Sequence, residues 1–134
     1  MRLPDWEKRL INYIEEVRHI PFQWGFHDCF TFAVKCEVAI SGVTRFPELY
    51  QANYNNSFGA KKAFLKNGYR GMIDCINRRC VQVHVNMLQR GDWAALDMPE
   101  GIAIGVCTGD KIAATSADGL VFFNLKDAKL GWSI

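Results

Sequence analysis

The segment 28–40 constrains the fold more than any other part of this sequence. It places apolar residues on nearly all sides of a helix, and Ser41-Gly42 follows where the pattern stops. Asp28 is a competent N-cap, because a carboxylate there can accept hydrogen bonds from the free N–H groups of the first turn. A helix that is apolar all round is normally buried. The sequence therefore predicts a central helix enclosed by the rest of the chain.

Cys29 lies in the first turn of this predicted helix. The backbone N–H groups there are unpaired and carry about half a positive charge, a field that favours thiolate over thiol. We therefore expect the pKa of Cys29 to be lowered, as it is in nucleophilic cysteines. The alternative is that Cys29 is a small buried apolar residue, as many free cysteines are. Cys36 is two turns, about 11 Å, further along and is assigned to the core, because that distance is too long for a disulfide.

The chain before this helix predicts an amphipathic helix and an aromatic loop. Apolar residues recur at helical spacing over 6–17, and we expect the helix to end near Ile20-Pro21 because Pro21 disfavours a helical residue before it. Three aromatic residues follow in the loop, namely Phe22, Trp24 and Phe26. They either shape a groove beside Cys29 or anchor the loop to the core.

Further along, helical patterns give way to strands. We expect a loop over 42–57, a helix over 58–66 capped by Ser57, and a short helix over 72–78. The predicted strands cover 81–85, 93–96, 102–107, 111–115 and 120–123, and the tail, 125–134, is expected to form a helical turn and an edge strand through Trp132. Short turns containing Gly separate the strands, so neighbours should pair antiparallel. Helices followed by strands predict an α+β fold, with the 28–40 helix packed on the inner face of the sheet.

Composition limits the classes of function. The chain has 134 residues, of which 49% are hydrophobic, and this suits one domain over 1–134. Its net charge of +2 and scattered basic residues predict no nucleic-acid partner. No apolar run approaches the roughly 20 residues that span a bilayer, and the N-terminus has no signal-peptide pattern. We therefore expect no membrane insertion, synthesis in a cytoplasm, and free thiols at the five cysteines.

The three histidines are the candidate bases for a nucleophilic thiol. His27 is two residues before Cys29 and either stabilises the thiolate as an imidazolium or only contributes to the helix cap. His19 is expected at the solvated end of the first helix. His84 is expected on the solvent side of the first strand.

A metal site and a phosphate site are both disfavoured. Cys75, Cys80 and His84 have spacing like that of metal ligands, but the gap between the cysteines exceeds that of a paired-cysteine knuckle and no fourth ligand stands nearby. No glycine-rich phosphate loop and no serine-centred elbow occur. We therefore expect no metal and no cofactor.

Short stretches along most of the chain carry a resemblance to a known superfamily. They are the helix beginning at Trp6, the loop Phe22-Gln23-Trp24-Gly25, the pair Asp28-Cys29, the turn Gly91-Asp92-Trp93, the strand 101–109 and the ending Gly131-Trp132-Ser133-Ile134. Together they resemble the papain-like cell-wall cysteine peptidases of the NlpC type, and more closely the small phage-tail proteins of that superfamily.

The resemblance implies a fold, an activity and a site. The fold would be an antiparallel sheet with the cysteine helix against it. The activity would be hydrolysis of an amide bond in peptidoglycan stem peptides, by thiolate attack and an acyl-enzyme. The candidate catalytic residues are Cys29 as nucleophile, His27 and Asp28. The candidate substrate-binding residues are Trp24, Gly25 and Phe26.

One departure from the superfamily opens a second hypothesis. Its active enzymes carry a histidine at the start of the strand after the Gly-Asp strand, and here that position falls within 102–104, which is Ile-Ala-Ile. Either the protein is a phage-tail hydrolase in which His27 assists Cys29, or it is a non-catalytic tail-assembly or tail-tip module that keeps the fold. Its partners would be stem peptides or other tail proteins, and its location the virion tail after synthesis in the host cytoplasm. A third option is acyl transfer on another amide.

Overall fold

The computed structural model describes residues 1–50 and 52–134 and has an α+β fold. The helices are α1 (Trp6–Val17), α2 (Cys29–Ser41), α3 (Pro47–Tyr50), α4 (Ser57–Lys66) and α5 (Met72–Arg79). The strands are β1 (Val81–Val83), β2 (Trp93–Met98), β3 (Gly101–Cys107), β4 (Lys111–Ala114), β5 (Val121–Asn124) and β6 (Ala128–Ser133). Short 3₁₀ turns cover Val85–Met87 and Leu125–Asp127. The predicted order of helices first and strands second is confirmed.

The strands of the described residues form one antiparallel sheet in the order β1-β6-β2-β3-β4-β5. Short turns join β2 to β3 and β3 to β4, as their sequences predict. The prediction that the tail is an edge strand was wrong, because β6 lies between β1 and β2. Trp132 on β6 pairs with Trp93 on β2 and is fully buried.

The helix α2 is the central helix that its sequence predicts. Asp28 is its N-cap, and the Asp28 Oδ1 atom accepts a hydrogen bond from Thr31 N at 2.8 Å. Gly42, with φ of +81°, follows its last turn. Phe32 and Cys36 have no exposed surface, which confirms that Cys36 is part of the core.

The sheet has an apolar cluster on each face, because successive side chains of a strand point to opposite sides. On β2, Trp93 and Ala95 belong to the larger cluster, which the helices complete with residues such as Phe32 and Ile14. Ala94 and Leu96 belong to a smaller cluster on the opposite face, where Val85, Leu88 and Leu125 from the 3₁₀ turns and their flanks pack against it. The N-terminus of α2 therefore meets the sheet on its helical face.

Several local predictions differ from the structure. The segment 42–57 contains the short helix α3, and its Gln51 lies outside the described residues. Asn56, not Ser57, caps α4, because the Asn56 Oδ1 atom accepts from Gly59 N at 2.7 Å. The first strand ends at Val83, and α1 ends at Val17, before the residues that lead to Pro21. Among the helices described, none combines the length and the apolarity that a membrane span requires.

Candidate functional site

Cys29 is the first residue of α2, as the sequence predicts, and it lies against β3. The residue is partly exposed and packs beside the main apolar cluster. The nearby backbone of Ile104 on β3 favours the thiolate form. The middle of β3, at Ile104, is therefore the part of the sheet that approaches the sulfur.

The pKa of Cys29 is raised, so the prediction that its position at the helix start lowers the pKa was wrong. Burial raises the pKa of Cys29 to about 11, and the charge of Asp28 also raises it. The Ile104 backbone and the first turn of α2 act in the opposite direction but are smaller effects. Desolvation of the sulfur thus outweighs the field of the helix N-terminus, which the Asp28 carboxylate already occupies.

Asp28 is the centre of a buried hydrogen-bond network, with 1% of its surface exposed. Its Oδ1 atom accepts from Thr31 N, and its Oδ2 atom accepts from both Gly25 N at 2.9 Å and the Tyr54 hydroxyl at 2.7 Å. The network joins the start of α2, the aromatic loop and the segment before α4. Asp28 therefore acts as the cap of α2 and as an anchor of the aromatic loop.

His27 is buried, at 2% exposure, but no hydrogen bond joins it to Cys29. Its Nε2 atom has no hydrogen-bond partner within residues 1–50 and 52–134. Its ring packs edge-on against Phe32 at a centroid distance of 5.8 Å, and its backbone forms a bridge with Gln23. Burial lowers the pKa of His27, which favours the neutral ring over the imidazolium. The environment of His27 therefore disfavours the imidazolium, which is one of the two roles that its position predicts.

The three candidate substrate-binding residues lie on the loop before α2. Trp24 packs edge-on against Phe22, with a centroid distance of 4.9 Å, and Phe26 contacts the Lys35 ammonium at 4.8 Å from its ring. Both remain well exposed, at 37% and 51%. Gly25 has φ of +79°, and a Cβ atom there would overlap the backbone oxygen of Tyr54. The loop thus presents aromatic surface while its turn is covered by the Tyr54 segment.

Tyr54 is the site residue that sequence reasoning missed. Its hydroxyl donates to Asp28, the residue directly before Cys29. Burial, followed by the charge of Asp28, raises the pKa of Tyr54. Its sequence signal is weak, since one aromatic residue stands among asparagines in a segment without helical or strand periodicity.

The other predicted candidates lie apart from Cys29. His84 is exposed and its Nδ1 atom accepts from Asn86 N at 3.1 Å, whereas His19 is exposed after the end of α1. Cys75 is buried and Cys80 is partly exposed. No cluster of three or more metal-ligating side chains occurs in the part of the chain that the structure describes.

An open surface cleft does not include the cysteine either. A shallow cleft of about 460 Å³ lies at the N-terminus of α5, where Arg70, Met72, Asn77 and Ile102 contribute to its walls. Ile102, at the start of β3, is 52% exposed. The cleft therefore borders the strand that approaches Cys29 without being lined by the thiol.

The fold and the site together define an α+β protein in which a cysteine begins a buried helix that packs against an antiparallel sheet. The chain belongs to the family described as DUF6950, a domain of unknown function, whose model matches residues 1–134. No curated protein matches the chain with significance. The family description assigns no activity, so the function is proposed from the site.

Proposed function

We propose that this protein is a non-catalytic module of NlpC-like fold that serves as a docking body in phage-tail assembly. The observation that carries the proposal is the state of Cys29. Its pKa is raised to about 11, and no imidazole is hydrogen-bonded to its sulfur within the described residues. A papain-like reaction needs a thiolate and an imidazole in contact, and this site supplies neither at rest.

The size of the pKa shift supports the same conclusion. A thiol with a pKa of about 11 is ionised in roughly one molecule in ten thousand at pH 7. An active cysteine peptidase depends on a thiolate that an adjacent base or positive charge stabilises. Here the adjacent charged group is Asp28, whose negative charge opposes ionisation of Cys29.

The docking role rests on the resemblance to phage-tail proteins and on the aromatic loop. Trp24 and Phe26 are exposed on a loop that the Asp28 network holds in place. Aromatic residues on a fixed loop provide contact area at low entropic cost, which suits recognition of another protein. Other tail proteins are the proposed partners.

Two assays test the absence of hydrolysis. Purified sacculi incubated with the wild-type protein and with Cys29→Ala should release no stem peptide in either case. Alkylation of Cys29 by iodoacetamide, followed by peptide mass spectrometry from pH 6 to 10, should show a rate still rising above pH 9. Release of peptide by the wild type that is lost in Cys29→Ala would refute the proposal.

An allele test addresses the docking role. In the source genome, Cys29→Ser should leave particle assembly unchanged, whereas the double substitution Trp24→Ser and Phe26→Ser should reduce assembled tails. The matched control is Phe58→Ser, which removes an aromatic residue that is 77% exposed on α4. If Cys29→Ser blocks assembly as strongly as the loop variant, the thiol has a role that the proposal denies.

The hydrolase hypothesis remains as a second candidate because of one observation. Cys29 is partly exposed and stands at the first position of a capped helix, as a papain-like nucleophile does. The sacculus assay described above separates this candidate from the first.

A further inference from the structure

We propose that residues 53–55, here called the Tyr54 strap, form a latch that closes over the start of α2 and can open locally without unfolding the protein. In the closed state the strap keeps water from the thiol of Cys29. This inference is independent of whether Cys29 is catalytic, and it goes beyond the docking role.

The strap is tied to the body mainly through one side chain. Residues 53–55 make no backbone–backbone hydrogen bond to any described part of the chain. The Tyr54 hydroxyl donates to the Asp28 Oδ2 atom at 2.7 Å, and this bond is charge-assisted because its acceptor is a carboxylate. A segment with few backbone hydrogen bonds belongs to the low-stability end of a structure, so one tyrosine can control its opening.

The strap packs closely against two glycine residues of neighbouring segments. The backbone oxygen of Tyr54 lies against Gly25 where any larger residue would carry its Cβ atom. At the other end, a Cβ atom on Gly59 would lie 2.9 Å from the Tyr54 Cβ atom. Glycine therefore occurs on both sides of Tyr54, in the aromatic loop and in α4, and the strap fits between them.

Two contacts place Cys29 next to this strap. Cys29 directly follows Asp28, whose Oδ2 atom accepts the bond from the Tyr54 hydroxyl, and the Tyr54 backbone oxygen lies against Gly25, four residues before Cys29. The cysteine is also partly exposed as a residue while its sulfur is desolvated. Since Asn53 and Asn55 are exposed, the strap can lift into solvent without exposing a large apolar core.

Opening is measured through the reactivity of Cys29. The background variant is Cys80→Ser, because Cys80 is also partly exposed, and the buried Cys36, Cys75 and Cys107 then serve as internal reporters of global unfolding. Rates of N-ethylmaleimide modification are determined for each cysteine by peptide mass spectrometry under native conditions at pH 7.5. Loss of a hydrogen bond to a charged group predicts that Tyr54→Phe speeds modification of Cys29 by about tenfold or more.

The matched control is Tyr69→Phe, which also removes a tyrosine hydroxyl from a hydrogen bond, in this case with Arg79 Nε at 2.8 Å. It should leave the Cys29 rate within about twofold of the parent, because it does not touch the strap. Gly25→Ala disturbs the backbone contact between Gly25 and the strap. It should selectively increase the rate of Cys29 modification, as Tyr54→Phe does.

Two results would overturn the latch. In the first, Tyr54→Phe leaves the Cys29 rate within about twofold of the parent, so the hydroxyl does not control access. In the second, the modification rates of Cys29 and Cys36 increase together, which means that the strap opens only when the whole protein unfolds. Either result leaves the proposal of a non-catalytic module intact, because that proposal is tested separately by the sacculus assay.

Discussion

Arg2 and Asp92 connect the first residues of the chain to the turn before β2. The Arg2 Nη2 atom lies 3.3 Å from the Asp92 Oδ1 atom, which also accepts from the backbone N of Ile134 at 3.1 Å. The Asp92 Oδ2 atom accepts from Gln89 N at 2.9 Å, and Arg2 also donates to the backbone oxygen of Ile134. One buried carboxylate therefore holds together segments that are far apart in sequence.

We predict that Asp92→Ala lowers the free energy of unfolding by about 3 kcal/mol. The substitution removes the carboxylate partner of the Arg2 guanidinium and leaves the backbone N–H groups of Gln89 and Ile134 without their acceptor in a largely buried site. Urea denaturation at pH 7, followed by circular dichroism, measures the change. Asp92→Asn should have a smaller effect because an amide oxygen can still accept one of these bonds.

The control for this prediction is Glu15→Ala. Glu15 forms an exposed ion pair with Arg18 at 3.1 Å, and exposed pairs of this kind contribute little to stability. Its loss should change the free energy of unfolding by less than about 1 kcal/mol. Equal effects of the two substitutions would show that the Asp92 network does not stabilise the fold.

Asp92 and Asp28 show which parts of the fold the sequence could predict. Each accepts a hydrogen bond from a backbone N–H three positions away, and the capping role of Asp28 was predicted correctly. Their distant partners, Arg2, Ile134 and Tyr54, could not be predicted because no local pattern pairs them. The predicted position of β6 at the edge of the sheet was wrong for the same reason, since the neighbours of a strand in a sheet depend on the whole chain.

We predict that Asp28→Ala destabilises the protein by about 3 kcal/mol. The variant loses the cap of α2 and leaves Gly25 N and the Tyr54 hydroxyl without their acceptor. The control is Asn56→Ala at the start of α4, which loses one capping bond to Gly59 N and should cost about 1 kcal/mol. Thermal and urea unfolding measure the loss of stability in both variants. A larger loss in Asn56→Ala than in Asp28→Ala would contradict the assignment of Asp28 as cap and loop anchor.

Glu37 should give the protein a measurable pH dependence. Burial raises its pKa above the ordinary value of 4.5, although bonds from Thr44 and the Arg45 backbone act in the opposite direction. An acid whose pKa is raised on folding adds stability below its unfolded pKa and loses it as the pH rises through the folded pKa. The stability of Glu37→Gln relative to the wild type should therefore be greater at pH 7 than at pH 4.

This comparison requires urea unfolding of both proteins at intervals from pH 4 to 7. Glu16→Gln, which removes an exposed carboxylate from α1, controls for the loss of one negative charge. A difference between Glu37→Gln and wild type that stays constant with pH, or grows in the opposite direction, would contradict the raised pKa.

Cys29 shows why the chemistry of the site could not be predicted from the sequence. Its position at the start of a capped helix follows from the local pattern and was correct. Its pKa depends on the burial contributed by β3 and the surrounding core, and these segments are distant in sequence. The local field of the helix favours ionisation, but the non-local loss of water opposes it more strongly.

His27→Phe provides the sharpest test of whether the imidazole acts on the thiol. Burial lowers the pKa of His27 below its ordinary value of 6.5, and its Nε2 atom has no partner among the described residues. A base whose pKa is depressed on folding makes the protein less stable as the pH falls through 6.5, because the unfolded chain binds the proton more tightly. The phenyl ring keeps the contact with Phe32 and cannot be protonated. The free energy of unfolding of the variant should therefore lie within about 1 kcal/mol of the wild-type value at pH 8. At pH 5 the variant should be more stable, relative to the wild type, than it is at pH 8.

The same variant should leave the alkylation rate of Cys29 unchanged from pH 6 to 10, since no hydrogen bond joins the imidazole to the sulfur. His19→Gln, which alters an exposed histidine, is the control for both measurements. A fall in the Cys29 rate in His27→Phe, with His19→Gln unchanged, would show that the buried imidazole activates the thiol. His27 would then be the base that the hydrolase hypothesis requires, because a ring that assists ionisation must approach the sulfur in some conformation that the protein populates.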